Sequence, residues 1–92
     1  MELYVRSQDK MKLVKVNYCY IMDQQDHFTI IGETIDSGPI IGTYKSKERA
    51  LQILDEIQEY LEKQGQVYLL TNENGIITSQ KHYGFVYQMP SE

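Results

Sequence analysis

The sequence predicts an α+β domain: one antiparallel sheet of five to six strands, or a half-open barrel, covered by a single amphipathic helix. The expected element order is β-β-β-(β)-α-β-β-(β). Three observations carry this reading. Residues 46–64 repeat apolar side chains at helical spacing. The segments on either side are short runs rich in β-branched residues and tyrosine, separated by polar turns. Finally, the chain of 92 residues shows no repeat, linker or low-complexity tract, so residues 1–92 read as one domain.

Taken in order, "ELYVRS" is a short extended run that ends in the polar turn "SQDK". In "KLVKVNYCYIM" the residues Val14, Val16, Tyr18, Tyr20 and Met22 fall on one side of a continuous pleat. Leu13, Lys15, Asn17, Cys19 and Ile21 fall on the other, mixed side. "DQQDH" is a turn, "FTIIGETI" the next strand, "DSGP" a break and "IIGTY" the strand that leads into the helix. Gly32 and Gly42 lie inside strand patterns, where glycine marks a bulge or a close approach of backbones.

Ser46 is placed to cap the helix, although Arg49 stands where a capping box would have Glu or Gln. Gly65 supplies the left-handed residue that closes it. From Ala50, the residues Ile53, Leu54, Ile57, Tyr60 and Leu61 gather on one side with Leu51 at the margin. Glu48, Asp55, Glu56, Glu59 and Glu62 gather opposite. An apolar arc of nearly half the cylinder suits a helix lying across a sheet better than a coiled-coil seam. Its acidic side reads as a solvated face that favours solubility. Beyond the helix, "VYLL" and "GIIT" flank "TNEN", and Asn74-Gly75 signals a hairpin. "YGFVYQM" is the last strand, with "PSE" as a tail that Pro90 detaches.

Net charge is −4. A protein that grips duplex nucleic acid presents a basic surface, because counterion release supplies much of the affinity; duplex nucleic acid is therefore not expected as a partner. The charge is uneven. Residues 1–17 hold Arg6, Lys10, Lys12 and Lys15 against Glu2 and Asp9, a balance of +2, which leaves room for one local anion site. No run approaches the ~20 apolar residues of a membrane span, and "MELYVRSQDK" lacks an apolar signal core, so no membrane and a cytoplasmic location are expected. The single cysteine, Cys19, allows no internal disulfide.

Catalytic groupings are scarce, and the chain is read as a non-enzyme. Cys19 with His27 or His82 is the only nucleophile–base pairing on offer, and Cys19 sits mid-strand between two tyrosines, where nothing lowers a thiol pKa. Two histidines and one cysteine match no zinc spacing, and the glycines form no phosphate-binding string. Neither metal nor cofactor is expected. The eight tyrosines depart from average usage. Most suit the cover of a thin core, with subunit interfaces and base stacking as the functional alternatives. The sharpest site pairs Tyr18 or Tyr20 with Arg6, Lys12 and Lys15, a cationic aromatic patch fit for a phosphorylated ligand. Tyr83 and Tyr87, near the end, are the candidates for partner contact.

Three stretches carry a resemblance: "YVRSQDKMKLVKV", "IGTYKSKERALQILDEIQEYL" and "VYQMP". Together they resemble a group of small uncharacterised proteins of Gram-positive bacteria, their prophages and phages, over about two-thirds of the chain. The resemblance implies an accessory protein of mobile elements, in the cytoplasm of a bacterial host. Residues 66–82 lie outside it, which marks that hairpin as a candidate binding loop. Two expectations follow. One is a non-catalytic, self-associating protein that binds a host protein; the other is a binder of a small anionic ligand such as a nucleotide signal.

Overall fold

A computed structural model describes residues 3–71, 73–75, 77–82 and 84–92. In chain order the elements are β1 (Leu3–Arg6), β2 (Leu13–Val16), β3 (Tyr18–Gln24), β4 (His27–Glu33), β5 (Ile40–Tyr44), α1 (Lys47–Lys63), β6 (Val67–Thr71), β7 (Ile77–His82) and β8 (Val86–Gln88). The fold is α+β, with one helix and no closed barrel among the described residues. The expected single sheet is replaced by two three-stranded sheets, ordered β2-β1-β8 and β3-β4-β5, and a two-stranded ribbon, β6-β7. All pairs are antiparallel except β1 with β8, which the two ends of the chain bring together in parallel.

The extra strands arise chiefly at Asn17. The run expected as one strand breaks there: Asn17 N donates to Glu33 O (2.8 Å), and Glu33 is also the ladder partner of Tyr18. Two residues thus oppose one, a β-bulge that bends the chain from the first sheet into the second. Because side chains alternate with a period of two, the extra residue exchanges the faces. Val14 and Val16 turn toward the core in β2, but Cys19 and Ile21 do so in β3. Tyr18, Tyr20 and Met22, expected to continue the Val14–Val16 face, lie on the opposite one.

The core joins Leu3, Val5, Val16, Ile30, Ile41 and Tyr44 of the sheets to Ala50, Ile53 and Ile57 of α1 and to Tyr87 and Met89 near the end of the chain. The helix begins and ends as its residues dictate. The Ser46 hydroxyl accepts from Arg49 N (3.1 Å), and Gly65 takes φ +79, in the left-handed region. Leu54, Tyr60 and Leu61 pack at the margin of the core, and Leu51 points to solvent. Each large side chain fully buried here, such as Ile53, contributes about 1.5–3 kcal/mol gross. Gly42 lies under the Tyr44 ring, where an added Cβ would come within 2.7 Å of it.

The edge of β5 is sealed by a side chain. Gln8 N donates to Ile41 O (2.8 Å). The Gln8 carboxamide then accepts from Thr43 N (2.8 Å) and donates to Thr43 O (3.1 Å), imitating the two bonds of a neighbouring strand. The "PSE" tail is docked rather than detached. Tyr44 OH donates to Pro90 O (2.7 Å), Gln8 Nε2 to Ser91 O (2.8 Å) and Arg49 Nε to Glu92 O (2.9 Å).

Candidate functional site

The bend at Asn17 shapes the outer face of β3. It sets Tyr18, Tyr20 and Met22 on the face of β3 opposite Cys19 and Ile21, with Tyr18 also at the rim of the concavity beside α1. The ladder sets Tyr20 opposite Ile31 and Met22 opposite Thr29, and β5 brings Ile40 opposite Ile31. Tyr18 is 61% exposed, Ile40 53% and Met22 42%, so this outer face offers water a band of apolar and aromatic side chains. The Tyr18 and Tyr20 rings stack, with centroids 5.9 Å apart and planes at 28°. Tyr20 OH donates to Glu33 Oε1 (3.1 Å). Desolvation by neighbouring groups, reinforced by that carboxylate, raises the Tyr20 pKa, so the phenol stays protonated and fixed as a donor.

The basic residues expected beside these rings are divided. Arg6 and Lys15 lie on the outer side of β1–β2, since Tyr4 pairs with Lys15 and Arg6 with Leu13. Arg6 Nη1 donates to Lys10 O (3.1 Å), which ties it to the turn between the strands. Lys12 is exposed in that turn, near Asp9. The Asp9 carboxyl is held below the usual range, first by the Ser7 hydroxyl and then by Met11 N. The structure thus joins Tyr18 with Tyr20, and Arg6 with Lys15 and Tyr4. It sets the tyrosine pair beside the carboxylate of Glu33 and across the bulge from Lys15.

Tyr87 does not serve as a surface contact. It is 3% exposed, its ring meets Tyr60 edge-on at 5.0 Å, and burial pushes its hydroxyl pKa up. Its place in β8, central to the core, explains the difference from its expected role. Tyr83 lies outside the described residues.

A second concavity, of about 340 Å³, opens between α1 and the junction of β2 with β3. Leu3, Val16, Cys19, Leu54, Ile57 and Leu61 line it. Burial raises the Cys19 thiol to about 11, so it stays protonated at neutral pH and is a poor nucleophile. Cys19 pairs with Gly32 and His27 with Gln24. That sets the thiol and the imidazole about five residues apart along the hairpin, roughly 17 Å, too far for proton transfer. His27 Nδ1 instead meets the Asp26 carboxylate. Among the described residues no cluster of three potential metal ligands occurs, and no helix is long and apolar enough to cross a membrane.

Sequence reasoning missed Ile40 and Gln8. Ile40 and Ile41 are neighbours in a strand and take opposite faces, so only Ile41 turns into the core. Gln8 sits in a turn and gives no sign of the edge it covers. Comparison of the chain with protein-family models, curated proteins and solved structures finds no match.

Proposed function

We propose that the chain is a small non-catalytic accessory protein of the phage or prophage kind. It acts in the cytoplasm of a bacterial host by binding a host protein, and it self-associates. The observation that supports this reading is the outer face of β3–β4–β5, where Tyr18, Met22 and Ile40 stand exposed beside a stacked tyrosine pair. Aromatic and methionine side chains on a rigid sheet fit the composition of interface centres. Affinity capture with the whole protein from a Gram-positive host tests it, with Tyr18→Lys and Met22→Lys compared against the unaltered chain. The expected result is a host protein enriched by the unaltered chain and lost from both variants. Equal capture by all three overturns this face as the binding surface.

The grouping of Arg6, Lys15 and Tyr4 favours the second reading, a small anionic ligand such as a nucleotide signal. Ligand binding to the folded state alone raises its stability by RT ln(1 + [L]/Kd). A nucleotide panel is then expected to raise the melting temperature of the unaltered protein and not of Arg6→Ala. An Arg6→Ala protein that responds equally removes this reading.

A further inference from the structure

The two edges of the β3-β4-β5 sheet are treated differently. At β5 the Gln8 carboxamide satisfies both backbone groups of Thr43. At β3, no strand pairs with the edge opposite β4 among the described residues. The backbone groups that face this open edge follow from the ladder. Gly32 N donates to Pro39 O on the β5 side, whereas Glu33 O accepts from Asn17 N on the β3 side. Alternation then assigns Ile31 and Thr29 to β3, where they bond their partners Tyr20 and Met22. Cys19, Ile21 and Asp23 therefore direct their N–H and C=O groups outward, at a spacing only an extended backbone can match. Natural edges are blunted by charges, above all lysine, by proline, by bulges or by being very short; in β3 the bulge at Asn17 and the charge of Asp23 stand at or near the two ends and leave Cys19 to Met22 without such a device. β8 has three residues and β2 carries Lys15, but "YCYIMDQ" is seven residues long with neither lysine nor proline.

We propose that the open edge of β3 is completed by β3 of a second copy of this chain, running antiparallel about a two-fold axis at Tyr20. The proposal rests on the self-association reading above and specifies its geometry. The register is chosen by self-complementarity. Centring on Tyr20 sets Tyr20 against its own copy, Tyr18 against Met22 and Cys19 against Ile21, so each outer-face pair is apolar. It also sets Asp23 against the exposed amide of Asn17, with no like charges opposed. Centring one residue later, on Ile21, would instead set Asp23 against Cys19, whose side chain faces the apolar concavity formed with Leu54 and Leu61. In the chosen register Ile21 of the copy lies beside that concavity and extends its apolar lining. The result is a six-stranded sheet, ordered β5-β4-β3-β3-β4-β5, whose outer face carries two stacked tyrosine pairs in one band.

The test uses the full chain and reads register as well as mass. By light scattering at a hundred micromolar, the unaltered protein is expected at twice the monomer mass. Tyr20→Lys and Tyr20→Glu are each expected as monomers, because each opposes like charges at the axis. An equimolar mixture of the two is expected to form a one-to-one dimer. With Cys19→Ser as background, Tyr20→Cys is expected to give a disulfide-linked dimer under mild oxidation, since residues facing across an antiparallel pair lie within disulfide reach. Thr43→Cys, on the sealed edge, is expected to form no disulfide-linked dimer under the same oxidation. Circular dichroism confirms that each variant is folded before it is scored. A dimer that survives Tyr20→Lys, or one that Tyr20→Cys fails to link, overturns this register while self-association stands. A monomeric unaltered protein overturns both.

Discussion

Two edges of one sheet, built from similar residues, end in opposite states. At β5 the groups beyond the last ladder are taken up by Gln8, a side chain delivered by the turn after β1. At β3 the chain enters through a bulge and leaves the outward backbone groups of Cys19, Ile21 and Asp23 unmatched by any strand among the described residues. Strand propensity is alike in "YCYIM" and "IIGTY" and does not tell them apart. What differs is whether another segment of the chain arrives alongside. Edge protection is thus a property of topology, and a glutamine 35 residues away decides it for β5.

The largest expected effect comes from removing what both edges share, the inner face held by α1. Ile53 is fully buried, so Ile53→Ala should destabilise the fold by about 2–5 kcal/mol in urea unfolding. A loss below ~1 kcal/mol would mean that the helix supports neither edge. Next, Gln8→Ala removes three side-chain hydrogen bonds, to Thr43 N, Thr43 O and Ser91 O. These bonds are exposed, so the expected loss is about 1–2 kcal/mol, and hydrogen exchange at the Thr43 amide should accelerate. Unchanged exchange would erase the contrast between the edges.

A smaller change is expected at the open edge. Proline at Asp23 removes an N–H that no strand among the described residues uses in a single chain, so Asp23→Pro should cost that chain under ~1 kcal/mol. Its melting temperature, read at a concentration too low for pairing, checks this; a loss as large as that of Ile53→Ala would show that the edge is already occupied.

At neutral pH the smallest effect concerns Cys19, whose thiol belongs to the open-edge strand but faces inward and whose contribution changes only above pH 9. Its pKa is about 11 against an ordinary 9.0. A raised acid pKa in the folded state stabilises the protein fully below pH 9 and loses that contribution as pH rises through about 11. Stability should therefore fall over this interval more steeply than in Cys19→Ser, and alkylation of the native thiol at pH 8 should lag that of the unfolded chain. Equal slopes for the two proteins would place the thiol in water.

The parts legible in the sequence are those governed by neighbours along the chain. Ser46 and Gly65 mark the ends of α1 because capping is a local hydrogen-bond requirement. Ala50, Ile53 and Ile57 are found buried because helical periodicity persists over many turns. Asn74-Gly75 likewise lies in the loop joining the antiparallel β6 and β7. What escaped depends on distant partners. The parallel pairing of β1 with β8 joins residues more than eighty positions apart. A turn residue such as Gln8 carries no mark of the edge it reaches, and no composition rule reveals that Tyr87 ends beneath Tyr60. For the candidate site, the stacking of Tyr18 with Tyr20 follows from their alternate spacing, but the face they occupy does not.

The face that β3 presents is set by the number of residues that precede it. The asparagine at the bend matters for the room it takes up in the count of residues, since its side chain points to solvent and its backbone makes the contact with Glu33. Substituting it should therefore be harmless, whereas deleting it would drive two tyrosines and a methionine into the interior and expel Cys19 and Ile21. The segment is forgiving in spelling and unforgiving in length.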